Sequence, residues 1–271
     1  MSTKKSLAFK AIHFSNDKYL KNEELNSLKR DLRNKYSASA ELYDSQRSRN
    51  ERVLAFFESS YSTFNSLIGP TSETTIHLDI PVGTGRFCHF LRTQGRIHKI
   101  LGIDVAPGML AASKQVCAKD PAMRVGFGDA FQLPLADNSV DLVTSLRFFH
   151  LFPKTCWPGL LTEMYRVLRP GGLLITDLRN ILRGGVWAPI KEYRDRWLHH
   201  DQRHSFIAPY EINRIFVDWV DLRVRGVGLD GALLLTTIFP HLSKDLEASA
   251  STSILRYFTK ELVVAARKPL S

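Results

Sequence analysis

Cysteine is scarce. The 271 residues hold three, Cys88, Cys117 and Cys156, in no metal-like spacing. That excludes a disulfide framework and leaves a zinc site without support, so no metal is expected. No uninterrupted apolar run approaches the roughly 18–20 residues that a bilayer span requires. The first residues, Met1-Ser2-Thr3-Lys4-Lys5, lead into no hydrophobic stretch of the secretory kind, and the expectation is a reduced, cytoplasmic protein. Internal repeats and low-complexity segments are also lacking. With 44% apolar and 24% charged residues, wholesale disorder and fibrous repeats are excluded. At roughly 100–200 residues per domain, the length fits one large domain, or one domain with additions.

Charge is present in excess of one sign: 37 Lys and Arg against 27 Asp and Glu, a formal +10. Half of that excess lies in residues 1–50, which carry 11 basic and 6 acidic groups. Phosphate contacts dominate nucleic-acid affinity, so a basic arm is one reading. Asp17, Glu23, Glu24, Asp31, Glu41 and Asp44 interleave with the bases at helical spacing, however, and a solvated helix face is the favoured one.

Residues 20–58 have helix-forming composition, lightly broken at Ser37-Ala38-Ser39, which predicts two helices before the first strand. Apolar strand-like runs then alternate with helical stretches. Strands are expected at Ile76–Ile80, Lys99–Asp104, Arg124–Phe127, Val140–Leu146 and Leu173–Asp177, with helices at Phe87–Gln94, Met109–Ala118 and Pro158–Leu168. A further helix (Pro209–Val220), a strand (Leu222–Val227) and a final strand (Thr259–Arg267) follow. Five apolar strands separated by helices predict a parallel sheet covered on both faces, a doubly wound α/β domain. Segments 179–207 and 228–258 exceed ordinary loop length and read as insertions, the first as a cover over the substrate. The expected division is an N-terminal helical lid, 1–60, and a main domain, 61–271.

The most informative stretch is Leu78-Asp79-Ile80-Pro81-Val82-Gly83-Thr84-Gly85. A glycine turn between strand and helix lets a ligand approach bare backbone. The spacing fails the dinucleotide fingerprint, because Cys88 stands where the third glycine of G-x-G-x-x-G belongs. Asp79 just before the turn would repel a phosphate but suits a cationic amino group. Asp104 closes the second strand, where an acid can accept from ribose hydroxyls; Asp129 closes the third, where it can accept from an exocyclic amine. Three acids at successive strand ends describe a ligand with an amine, a ribose and an adenine, and no phosphate.

These residues resemble the class I S-adenosylmethionine-dependent methyltransferases, small-molecule branch. The resemblance rests on the loop above, on Gly102-Ile103-Asp104-Val105-Ala106-Pro107-Gly108-Met109-Leu110, on Gly128-Asp129-Ala130 with Leu133-Pro134, and on Leu168-Arg169-Pro170-Gly171-Gly172. It covers residues 40–178 and departs at Pro81, where the family has its first glycine. It implies a seven-stranded, Rossmann-like sheet with an antiparallel last strand, S-adenosyl-L-methionine as cofactor, and methyl transfer to a small-molecule acceptor by proximity and orientation. Cofactor contacts implied are Tyr43 and Arg47 of Tyr43-Asp44-Ser45-Gln46-Arg47, then Asp79, Pro81, Gly83, Thr84, Gly85, Asp104 and Asp129. Val105 and Met109 would sandwich the adenine, Leu146 would lie below the methyl donor, and Ala130 would complete the set. RNA or protein as acceptor, using the basic N-terminal segment, and a non-catalytic cofactor-binding protein are the rivals.

Other side chains carry weaker expectations. His150 is a candidate to position or deprotonate the acceptor, against a packing histidine that caps the next helix. Arg86 is expected to pair with the methionyl carboxylate or with Asp79, and Arg147 to bind an acidic substrate. Trp187, Tyr193 and Trp197 offer an aromatic wall; His199, His200 and His204 lack the acid or cysteine partners of a metal site. The acceptor and the methylated atom are left open, since pockets on this fold are built from its least patterned segments.

Overall fold

The computed structural model describes residues 22–95, 97–118, 120–183, 205–230 and 239–270. The strands are β1 (Ile76–Asp79), β2 (Lys99–Asp104), β3 (Met123–Phe127), β4 (Val140–Ser145), β5 (Leu168–Arg179), β6 (Val220–Val227) and β7 (Glu261–Arg267). They form one sheet in the order β3-β2-β1-β4-β5-β7-β6. β1 to β5 are parallel, and β7 runs antiparallel between β5 and β6. The chain winds outward from β1 to β3, returns to β4 beside β1, and winds the other way. Direction therefore reverses between β1 and β4, and in such sheets the crevice beyond the carboxyl ends at that point is the ligand site.

The helices are α1 (Asn22–Ser48), α2 (Glu51–Leu67), α3 (Arg86–Thr93), α4 (Pro107–Cys117), α5 (Trp157–Val167), α6 (Ile212–Ile215) and α7 (Pro240–Thr252). Strand side chains alternate between the two faces of the sheet. Leu78, Val143 and Leu174 pack with Trp157, Leu160, Leu161 and Met164 of α5 on one side. Leu142, Ile175 and Val263 pack with Phe64 and Leu67 of α2 and with Phe87 and Leu91 of α3 on the other. His77 and Asp79, out of phase with Leu78, share the α3 face.

Several boundaries differ from expectation. The two N-terminal helices part at Arg49-Asn50, and α1 runs unbroken through Ser37-Ala38-Ser39. Ser39 bonds back to the Tyr36 carbonyl and so remains helical, whereas the Asn50 side chain accepts from the Arg52 and Val53 amides and caps α2. A lid boundary at residue 60 falls inside α2, whose Phe64 and Leu67 belong to the sheet's cover. β5 is longer than Leu173–Asp177 because β7 pairs with it as far as Arg179. The expected Pro209–Val220 helix is a 3₁₀ turn, Pro209–Glu211, followed by the single turn α6. Ile212, Ile215, Phe216 and Trp219 are buried at helical spacing, but the chain leaves helix at Phe216 and enters β6 at Val220. The final strand starts at Glu261, two residues later than expected. In segment 228–258, α7 and a 3₁₀ turn (Ile254–Phe258) are described. Among the described residues no helix is long and apolar enough to cross a membrane.

α1 reaches the main body by a close approach. A Cβ on Gly108, in the first turn of α4, would sit 2.3 Å from the Ser37 carbonyl oxygen, so only glycine admits α1 at this distance. Gly108→Ala is expected to lower stability by about 1–3 kcal/mol, the usual cost of overpacking, and to speed proteolytic cleavage within residues 22–48. Urea unfolding and limited proteolysis check this against Gly126→Ala, whose added methyl meets nothing within 4 Å.

Candidate functional site

The turn after β1 is built by two glycines with φ of 54° (Gly83) and 83° (Gly85), a region L side chains rarely adopt. Gly85 opens α3 and donates its amide to the Val82 carbonyl. Asp104, at the end of β2, accepts from the Gly83 amide (2.9 Å) through one oxygen and from the Ala106 amide (2.8 Å) through the other. One carboxylate thus ties the β1–α3 turn to the β2–α4 turn. Burial raises its pKa, opposed by those amides.

Asp79 is 2% exposed. Thr144 of β4 donates to one of its oxygens (2.6 Å) and the Cys88 thiol of α3 to the other (3.1 Å). No ion pair to Asp79 occurs among the described residues. Burial, with the Thr144 and Cys88 hydrogen bonds opposing it, pushes the carboxyl up to about 7. Behind Thr144, His77 Nε2 lies 2.6 Å from the same hydroxyl. Burial lowers the imidazole to about 3, so the ring is neutral. Because Thr144 spends its proton on Asp79, Nε2–H is the donor and Nδ1 is the bare acceptor, buried without a partner.

Asp79, Asp104 and Asp129 line one cavity of about 730 Å3, together with Tyr43, Arg47, Pro81, Gly83, Thr84, Val105, Met109, Ala130 and Leu146. The residues expected to surround a cofactor are therefore brought together, with two exceptions among all expected site residues. Gly85 is not on the wall; it shapes the turn and packs against Ser113 and Val116 of α4. His150 is not on the wall either. It is 5% exposed, in the 3₁₀ turn Phe149–Leu151, and its carbonyl accepts from the Ser205 amide. Packing, not acceptor chemistry, is the role this geometry supports. Trp187, Tyr193, Trp197, His199, His200 and His204 lie outside the described residues. Among the described residues no group of three or more His, Cys, Asp or Glu side chains could hold a metal ion.

α1 closes the cavity with polar contacts. Lys29 pairs with Asp129 at 2.8 Å, its ammonium 4.2 Å from the Phe131 ring centroid. Asp44 accepts from Thr84 (3.0 Å) and pairs with Arg86 at 3.5 Å, so Arg86 is not on Asp79. The Arg47 guanidinium stacks on Tyr43, 3.2 Å from its centroid. At the end of β4, Arg147 also reaches the wall.

Sequence reading missed His77, Thr144, Lys29, Asp177 and Glu261. For His77 and Thr144 a signal was available: each is a polar residue at an inward position of an apolar strand, and a buried polar group must find a partner. Lys29, Asp177 and Glu261 carry no local signal, since their partners are 100, 30 and 114 residues away in Asp129, the Arg147 amide and Arg147.

The sheet order and the three acids at strand ends define a doubly wound domain built for a nucleoside with a cationic tail. The profile of the Methyltransferase domain family matches residues 78–176. Demethylmenaquinone methyltransferase of Staphylococcus aureus is 36% identical over 55% of this chain and 69% of its own length. A Serratia marcescens malonyl-[acyl-carrier protein] O-methyltransferase is 35% identical over 47% of this chain and 45% of its own. In fold, the chain is similar to phosphoethanolamine N-methyltransferase 2 of Haemonchus contortus in complex with S-adenosyl-L-methionine. There the TM-score is 0.55 with 21% identity over 78% of this chain and 52% of that one. The chain belongs to the class I S-adenosylmethionine-dependent methyltransferases. It spans about half the length, or less, of several of the curated relatives it matches.

The Asp79 carboxyl makes stability depend on pH in a definite direction. Its folded pKa of about 7 lies above the ordinary 3.8, so between those values the native state holds a proton that the unfolded chain has lost. Stability from this group is full below about pH 4 and is lost as pH rises to about 7, with a slope of up to about 1.4 kcal/mol per pH unit. Asp79→Asn is expected to flatten that part of the profile, measured by urea unfolding between pH 4 and 8.

Proposed function

We propose that this chain transfers a methyl group from S-adenosyl-L-methionine to a small-molecule acceptor. The observation that carries the reading is the convergence of Asp79, Asp104 and Asp129 on one cavity, with Asp79 buried and lacking an ion-pair partner among the described residues. A buried carboxylate without a cation is costly, and a ligand's ammonium group answers it. When bound, the cofactor supplies a methyl carbon on a sulfonium: the acceptor's lone pair forms the new bond, and the C–S pair passes to sulfur.

The chain's own part is binding, orientation and exclusion of water. Asp79 and the Gly83-Thr84 turn, with Tyr43 and Arg47 above, suit the methionyl group. Asp104 retains lone pairs for the ribose hydroxyls beyond the two amides it serves. Asp129 suits the adenine amine once Lys29 gives way, with Val105, Met109 and Ala130 against the ring. Pro81 and Leu146 bound the floor beneath the reacting carbon. Alignment in such a pocket can remove ~7–11 kcal/mol of barrier without a protein nucleophile. A cavity roofed by α1 favours a small acceptor over RNA or a protein, and the division into N-terminal cover and main domain belongs to the same reading.

Calorimetry with S-adenosylmethionine tests it. Saturable binding is expected, strengthening as pH rises through about 7 because the ammonium prefers ionised Asp79. Asp104→Ala is expected to weaken it by roughly ten- to a hundredfold, the worth of a charged buried hydrogen-bond acceptor, while thermal unfolding remains cooperative. Unchanged affinity in that variant overturns the assignment.

A further inference from the structure

We propose that the methyl acceptor bears an anionic group, a carboxylate or a phosphate, and that Arg147 binds it. This rests on the methyl-transfer reading above and names its substrate class. Arg147 follows Leu146 at the end of β4 and reaches the same cavity wall. It is one of few non-glycine residues with positive φ, 57°. Such conformations persist where surroundings enforce them and collect at ligand sites; here the Arg147 amide donates to the Asp177 carboxylate at 2.5 Å.

The guanidinium is held but not saturated. It lies 4.9 Å from the Phe57 ring centroid and 5.3 Å from that of Phe56. Its one ion pair among the described residues, to Glu261 Oε1, spans 3.5 Å, too long and misaligned for a hydrogen bond. Arg147 Nη1 and Glu261 Oε2 are both buried without a hydrogen-bond partner. Orphaned buried donors of this kind are rare and call for a ligand or a water.

The charge balance has the same sense. Burial, and after it the adjacent Glu261, pushes the Asp177 carboxyl far up, opposed by Arg147. Arg47 and Arg179 are both within the field of Arg147, so the guanidiniums crowd one another here as well as facing Glu261, Asp177 and Asp44. Of the other cations on the wall, Lys29 is held by Asp129 and Arg86 by Asp44; Arg30 and Arg33 are exposed, at the cavity's solvent side. A sulfonium cofactor adds one more positive charge. An amine acceptor would be repelled, whereas a carboxylate or phosphate matches the planar fork of Arg147.

The test uses the full chain. A metabolite extract is split by ion exchange into anionic, neutral and cationic fractions before reaction, and each is offered with methyl-labelled S-adenosylmethionine. Label transfer is expected in the anionic fraction. Alkaline phosphatase treatment of that fraction separates the sources: transfer lost means a phosphate monoester, transfer kept means a carboxylate. Transfer confined to the neutral or cationic fraction overturns the proposal, and this arm needs no variant. Arg147→Gln is expected to raise the KM of the isolated acceptor about a hundredfold and to leave the dissociation constant of S-adenosylmethionine within twofold, with Arg147→Lys intermediate. A variant that loses S-adenosylmethionine affinity instead assigns Arg147 to the cofactor and overturns the proposal. Wild-type chain that binds no S-adenosylmethionine at all fails the methyl-transfer reading itself, a result distinct from either.

Discussion

Everything at the carboxyl edge of the sheet depends on one energetic problem, the burial of acids at the ends of adjacent strands. Asp79 and Asp104 are 2% and 6% exposed, and each raises the cost of ionising the other. The fold answers the two differently. Asp104 receives two backbone amides and becomes a structural tie between successive turns. Asp79 receives only a hydroxyl and a thiol, which is too little to hold a full charge comfortably at neutral pH. The difference separates an acid that shapes the site from one that demands a ligand.

The Thr144 hydroxyl sits at the centre of that answer. It is hydrogen-bonded on both sides, to Asp79 and to a neutral His77, so its proton has one direction to point. Were His77 protonated, Thr144 would face a charge in the sheet's interior; burial prevents this down to about pH 3. A neutral imidazole thus fixes the orientation of a hydroxyl, and the hydroxyl fixes the rotamer of the carboxylate facing the cavity.

The cover over the cavity is of another kind. Among the residues of α1, Ala40 is buried, but most are half-exposed or exposed. Its contacts with the domain combine apolar packing by Leu25, Leu28, Leu32, Tyr36 and Ala40 with polar ones: Lys29 on Asp129, Asp44 on Thr84 and Arg86, and the Ser37–Gly108 approach. Partly exposed ion pairs are worth only ~0–1 kcal/mol each. The ion pairs can be exchanged for ligand contacts at little net cost, while the apolar contacts keep α1 seated. Lys29 places an ammonium on Asp129; under the proposed reading, an entering adenine amine would replace one donor with another and keep that carboxylate answered. The legibility of the molecule in its sequence follows the same division. Strands β1 to β5 and the Gly83-Thr84-Gly85 turn were readable because apolar runs and glycine spacing are local properties. The start of α2 was misplaced because serines inside α1 satisfy themselves by bonding backward, while Asn50 caps forward, a choice settled by a few dihedral angles. The Arg147–Asp177–Glu261 group was unreadable because it assembles from β4, β5 and β7, and nothing local marks Glu261 as different from a surface acid.

That last group bears on how the cavity sorts its contents. Asp79, Asp104 and Asp129 stand on its wall at the ends of β1, β2 and β3, with Arg147 beyond β4 and Arg47 on α1. A field of this form is a property of topology, since β1–β3 and β4–β5 are wound to opposite sides of the reversal point. Under the proposed reading, a cationic, donor-rich molecule and an anionic one entering the same space are drawn to opposite ends, with their reacting atoms between, over Leu146. In low dielectric, where water no longer screens, that separation of charge acts with several times its strength in solvent. On that reading, orientation comes from electrostatics laid down by the sheet. This accounts for a site in which the one histidine singled out by sequence, His150, is buried away from the cavity wall.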